Sequence, residues 1–198
     1  MPRTTTCSAT QPRAPRHVPG EEGLWFLLLG DMVVFAVFFG SYLVQLGKHP
    51  QMFATSQQEL SQSYGVLNTL VLLASSLLVA LGVRAVRAGA TAVAPWLFAG
   101  AISCGLTFAA IKFLEYRDKF TSGIGPNTND FFMYYFVLTG VHFFHVVLGL
   151  GVLTVIAVKS RGRQISSGRF TFIEGGSCFW HVVDLLWIVL FSLLYLVK

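Results

Sequence analysis

Charge is scarce in this chain. Only 12% of its 198 residues are Asp, Glu, Lys or Arg, about half the ~25% of an ordinary soluble domain. That shortage, with apolar residues gathered in long blocks, excludes a soluble globular fold and places the chain in a bilayer. Cysteine is scarce too. Cys7, Cys104 and Cys178 lie far apart with no C-x-x-C pair, so neither a zinc site nor a disulfide framework is indicated. The apolar/polar alternation of a membrane β-barrel is missing, and so is any internal repeat. The first 22 residues hold Pro and Arg but no apolar core of a secretory signal. They read as a mostly disordered cytoplasmic arm. The formal net charge of +5 does not call for nucleic acid, because in a membrane chain what matters is which loops carry the positive residues.

What the chain has in quantity is hydrophobic sequence, 54% of it, including 18 Phe and 4 Trp. A hydrocarbon core of ~30 Å takes about 20 helical residues to cross. Five runs are long enough: Gly23–Leu46, Tyr64–Val86, Ala92–Leu114, Phe131–Val158 and Gly176–Val197. With no water to satisfy the backbone, each must be a helix. The expected fold is all-α: one polytopic membrane domain, residues 23–198, of five transmembrane helices joined by short loops.

Lys and Arg set the expected orientation. Arg3, Arg13, Arg16, Arg84, Arg87, Lys159, Arg161, Arg163 and Arg169 fall on one side; Lys48, Lys112, Arg117, Lys119 and Lys198 fall on the other. The N-terminus is therefore expected in the cytoplasm and the C-terminus outside, in a bacterial-type inner membrane.

Ionisable residues inside such spans are costly and functional by default. A rise of ~1.5 Å per residue puts Asp31 and Asp184 about 12 Å from the inner face, and His142 and His145 about 16 and 21 Å from the outer one. With His181 they form one band, level enough to meet if their helices are neighbours. Three readings fit. His142 and His145, at i and i+3, share a helix face and could reach one metal ion or, with His181, a haem; no further soft ligands accompany them. The histidines could be interhelical hydrogen-bonding groups. They could also move protons with Asp31 and Asp184, although only the inner half of a relay is populated. Gly100 and Gly105 in the third span, and Gly140, Gly149 and Gly151 in the fourth, favour close packing.

The rims give milder signals. Lys112 and Glu115 read as an interfacial i,i+3 pair that snorkels at the outer end of the third span. Glu174 reads as an acidic anchor preceding the fifth helix, near its positive end. Trp25, Trp96, Trp180 and Trp187 read as packing or interface residues.

The segments "LNTLVLLASS", "FLEYRDKFTSGIG", "FFMYYFVLTGVHFFHVVLGLGVL" and "FIEGGSCFWHVVDLLWIVLF", in this order, resemble subunit III of haem–copper oxidases. The likeness runs from about Gly23 to the C-terminus and includes Glu115, His142, His145, Glu174, Trp180, His181, Asp184 and Trp187. It implies an accessory subunit, most simply of an aa3-type cytochrome c oxidase, with no catalytic residues, metal or haem of its own. Haem and copper would belong to the partner, catalytic subunit I, assembled with subunit II. Phospholipid would be bound, and proton uptake, assembly and stability supported during electron transfer from cytochrome c to oxygen. Asp31 and Glu115 are then the candidates for proton- or lipid-linked roles. His142, His145, Glu174, Trp180, His181, Asp184 and Trp187 would be interhelical structural residues.

The long form of that subunit has seven helices, with a lipid-filled cleft; this chain has five. The first span, "FLLLGDMVVFAVFFGSYL", carries Asp31 where oxidase subunits usually place glutamate. The opening "PGEEGLW…GD" is similar to the branch associated with nitric oxide reductases, so an accessory subunit of such a reductase is the first alternative. A stand-alone proton-coupled transporter is the alternative of another class.

Overall fold

The computed structural model describes residues 22–161 and 166–197. The N-terminal arm, Arg163 and Lys198 lie outside them. Every regular element among the described residues is helical: α1 (Glu22–Lys48), α2 (Pro50–Gln58), α3 (Gln62–Arg87), α4 (Ala94–Thr121), α5 (Asp130–Lys159) and α6 (Ser167–Phe191), which runs on into a π-helical turn, Ser192–Leu196. Five stretches of 26 to 30 residues are long and apolar enough to cross a membrane. Apolar side chains cover the outside as well as the core. Leu67, Leu70, Leu73 and Leu77 of α3 and Phe26, Leu29, Val33 and Val37 of α1 are exposed, while Trp180, Tyr135, Phe98 and Phe108 are fully buried.

Local chemistry sets the helix ends. Gly89 and Gly123, just past α3 and α4, take φ of +74° and +75°, the left-handed conformation that closes a helix and favours glycine. Pro50 and Pro95 stand in the first turns of α2 and α4, where a missing N–H costs nothing. Asn129 caps α5, its side chain accepting from the Phe132 N–H at 2.9 Å.

α3, α4, α5 and α6 close a four-helix ring, each packed on the next and α6 back on α3. α1 leans on the outside of this ring against α5 and α6. Glycines set the closest approaches. A Cβ on Gly149 would lie 2.6 Å from the Trp180 ring, and one on Gly105 would lie 2.7 Å from Leu150 and 3.0 Å from Trp180. The Trp180 indole is thus clamped between α4 and α5. Gly100 has a milder contact with Leu78, whereas Gly140 and Gly151 face open space and take no part in the packing expected of them.

Three boundaries depart from the sequence reading. The connection after α1 is not a plain loop but carries α2, whose buried Phe53 packs edge-on to Tyr42 and Phe131. α4 continues to Thr121 because Lys112, Glu115 and Tyr116 turn inward and keep it packed beyond the apolar run. α6 starts at Ser167, nine residues before Gly176, since its first turns need not lie in hydrocarbon.

Candidate functional site

Asp31, on α1, and His145, on α5, meet across the seam that joins α1 to the ring, with Oδ2 3.1 Å from Nε2. His145 Nδ1 lies 2.8 Å from the Val141 carbonyl oxygen. A carbonyl can only accept, so Nδ1 carries a hydrogen. A hydrogen bond between Nε2 and the carboxyl then needs one more proton, held either as imidazolium with carboxylate or as imidazole with carboxylic acid. The pair borders a cleft of about 710 Å³ between α1, α5 and α6, lined chiefly by apolar residues such as Leu24, Leu27, Leu148 and Phe179. Asp31 and His145 side chains remain 27% and 12% exposed, open to whatever occupies the cleft.

A second polar centre is closed. Lys112 and Glu115 are each 2% exposed and do not snorkel: they point into the ring. Glu115 Oε2 accepts from Lys112 Nζ at 2.9 Å, and Oε1 accepts from the hydroxyls of Tyr135 at 2.8 Å and Tyr195 at 2.6 Å. Lys112 Nζ also donates to both tyrosine oxygens, at 3.4 and 3.3 Å, and sits 4.9 Å from the Trp187 ring centroid. Removing two charges from water costs several kcal/mol each, and only a fully satisfied box of this kind offsets that. The π-helical turn brings Tyr195 into place. Polar contacts from α2 and its neighbours close this end. Gln57 Nε2 donates to the Val197 carbonyl at 2.6 Å, Asn129 Nδ2 to Ser56 Oγ at 2.9 Å, and Lys119 Nζ to the Glu59 carbonyl.

The expected band of polar residues does not converge on one centre. His142 Nε2 donates to the Val183 carbonyl at 3.1 Å, inside the ring, while His145 turns the other way, to α1. His181 Nδ1 lies 2.6 Å from Ser76 Oγ on α3, and Trp187 Nε1 donates to Thr69 Oγ1 at 3.1 Å. Asp184 and Trp180 are buried in the core. Glu174 does not precede its helix. It lies within α6, buried, and pairs with Arg87 of α3 at 2.6 Å. Trp25 and Trp96 are exposed, as interface residues would be. Among the described residues no three His, Cys, Asp or Glu side chains gather where one metal ion could hold them.

Sequence reading missed Tyr135, Tyr195, Ser76, Thr69 and Arg87. One signal pointed to part of this set: Tyr135 and Thr139, at i and i+4, share the face on which Tyr116 OH donates to Thr139 Oγ1 at 2.5 Å.

A ring of four packed transmembrane helices with a fifth leaning on it, crosslinked by buried polar pairs, defines a multi-pass helical membrane protein. The family model for cytochrome c oxidase subunit III matches residues 22–198, and the chain belongs to that family, a subunit III of the haem–copper oxidases. It is 31% identical over 176 residues to cytochrome c oxidase subunit 3 of Thermostichus vulcanus, covering 88% of this chain and 85% of that one. It is 29% identical to cytochrome bo(3) ubiquinol oxidase subunit 3 of Pseudomonas aeruginosa, covering 88% and 83%. It is also 24% identical to a heme-copper oxidase subunit I+III of Aeropyrum pernix, where the match spans 22% of that longer protein.

Proposed function

We propose that this chain is an accessory subunit of a respiratory aa3-type cytochrome c oxidase, packed against subunit I beside subunit II. It binds no haem or copper itself; these belong to the partner that passes electrons from cytochrome c to oxygen. Its N-terminus lies in the cytoplasm and its C-terminus outside. The ring α3–α6 acts as a rigid scaffold that stabilises the assembly, and Glu115 serves that scaffold from inside the closed box. The cleft beside α1 takes phospholipid acyl chains, and Asp31 with His145 serves proton uptake.

The observation that carries the reading is the Asp31–His145 contact: a one-proton pair at the border of an apolar cleft, in a chain of the subunit III family. The relative that joins subunits I and III in one chain supports subunit I as neighbour. The relative named for cytochrome c oxidase agrees with cytochrome c as the donor.

The test is to purify the oxidase with and without this chain and follow oxygen uptake through many turnovers. The expected result is a comparable initial rate but faster loss of activity without it. Equal yield, equal rate and equal endurance in both preparations would overturn the proposal.

A further inference from the structure

The interior of the ring holds polar atoms that no protein group satisfies. Both side-chain atoms of Asn68, both carboxyl oxygens of Asp184, His142 Nδ1 and Trp180 Nε1 are buried and have no hydrogen-bond partner in the protein. Asn68, His142 and Trp180 are 0% exposed and Asp184 is 4% exposed. Leaving such a group unpaired in a low-dielectric interior costs about 1–3 kcal/mol, and native proteins rarely do so.

These side chains occupy neighbouring levels of the ring. Thr69–Trp187 and Ser76–His181 bonds fix α3 antiparallel to α6, and Asp184 lies between the two crosslinks. Asn68 is next to Thr69. The Ser75 hydroxyl bond to the Ala101 carbonyl and the Gly82–Phe98 contact set the register of α3 on α4, which puts Asn68 level with the turn of α4 from Phe108 to Lys112. His142 donates to the carbonyl of Val183, next to Asp184, and its ring centroid is 5.7 Å from Phe108 and 5.2 Å from Trp187. Trp180 stands one turn along α6. Ser76, the polar neighbour of Asp184 on α3, has its hydroxyl oxygen 2.6 Å from His181 Nδ1, so its single hydrogen serves either His181 or one Asp184 oxygen, and the other carboxyl oxygen stays unpaired in both cases.

The unpaired atoms are of both kinds. Asn68 Nδ2 and Trp180 Nε1 are donors. Asn68 Oδ1 and His142 Nδ1, left as a lone pair because Nε2 donates to Val183, are acceptors, and the Asp184 carboxyl accepts as carboxylate or both donates and accepts as the acid. A metal or alkali cation would serve only the acceptors. Water serves both, and buried waters usually make about three bonds to such groups.

We propose that the ring α3–α6 encloses a structural water site, one or more ordered water molecules bridging Asn68, Asp184 and His142, with Trp180 as a further donor. The site belongs to this chain's own fold, whatever its partner.

Radiolytic hydroxyl labelling of the protein in native membrane vesicles, read by mass spectrometry, tests this, because radicals form on bound water and modify its neighbours. Phe108 and Phe98 are equally buried, at 0%, and only Phe108 adjoins the proposed site. Phe108 should be modified several-fold faster than Phe98, and Asn68→Leu should bring it down to the Phe98 rate. Equal slow labelling of both phenylalanines in the unaltered protein would overturn the proposal, and that comparison stands even if Asn68→Leu fails to fold. Fast labelling of Phe108 that persists in a folded Asn68→Leu protein would also overturn the assignment of Asn68.

Discussion

Asp31 on α1 and His145 on α5 are 3.1 Å apart, and their contact is a polar link between the outer helix and the four-helix ring, alongside the Tyr42 hydroxyl, which donates to the Leu193 carbonyl at 3.2 Å. Because the Val141 carbonyl fixes a hydrogen on His145 Nδ1, the link requires a retained proton. The pair thus docks α1 at the border of the cleft.

Substitutions at Asp31 separate the docking from the proton. In Asp31→Asn the amide N–H can donate to His145 Nε2, keeping α1 docked while the extra proton is gone; assembly should stay near normal and sustained turnover should fall. Asp31→Ala loses both, weakening docking by about 1 kcal/mol, within the range of interhelical hydrogen bonds in membranes. Oxygen uptake over repeated turnovers, with subunit stoichiometry from the same preparation, checks this. Unchanged endurance in Asp31→Asn would leave the pair as packing alone.

The Lys112–Glu115 box behaves in the opposite way. Lys112→Met leaves the Glu115 carboxylate buried without its cation, and breaking a buried pair costs roughly 3–5 kcal/mol. The variant should fail to accumulate in membranes. Lys112→Met combined with Glu115→Leu removes both charges and should recover much of the loss, as judged by immunoblot of membrane fractions and thermal melting of the purified protein. If the double variant accumulates no better than the single one, the charge argument is wrong.

Two glycines on α5 give a matched pair. A Cβ at Gly149 meets the Trp180 ring at 2.6 Å, while one at Gly140 meets nothing within 4 Å. Gly149→Ala should destabilise the ring by about 1–3 kcal/mol, the range for overpacking, and Gly140→Ala should be neutral. Melting temperatures of the two variants decide between a clamped and a loosely seated Trp180.

Arg87 is largely exposed and Glu174 is buried, so the two ends of their bond are not equivalent. Arg87→Ala strands a buried carboxylate; adding Glu174→Gln should relieve it. The double variant should melt above Arg87→Ala. A lower melting temperature would show that Glu174 has another partner.

The five spans are legible in the sequence because crossing a bilayer demands long apolar runs, and nothing else in the chain imitates them. Partners on other helices are not legible. Lys112 and Glu115 look interfacial because two charges end an apolar run, and the residues that draw them inward, Tyr135 and Tyr195, are 23 and 83 positions from Lys112. Glu174 looks like a helix anchor because "SGRFTFIEG" is too polar to read as span; the α6 backbone continues through it. The level of His142, His145, His181 and Asp184 is readable from residue counts, but the directions of their side chains depend on which helices are neighbours, which depth cannot give.

The most direct test of the central claim is to tag the chain, solubilise native membranes in mild detergent, and record the reduced-minus-oxidised spectrum of what co-purifies, with paired assays for oxygen and nitric oxide. The expected result is haem a with copper and cytochrome c-driven oxygen uptake. A haem-free preparation, or haem b with nitric oxide consumption and little oxygen uptake, would contradict it.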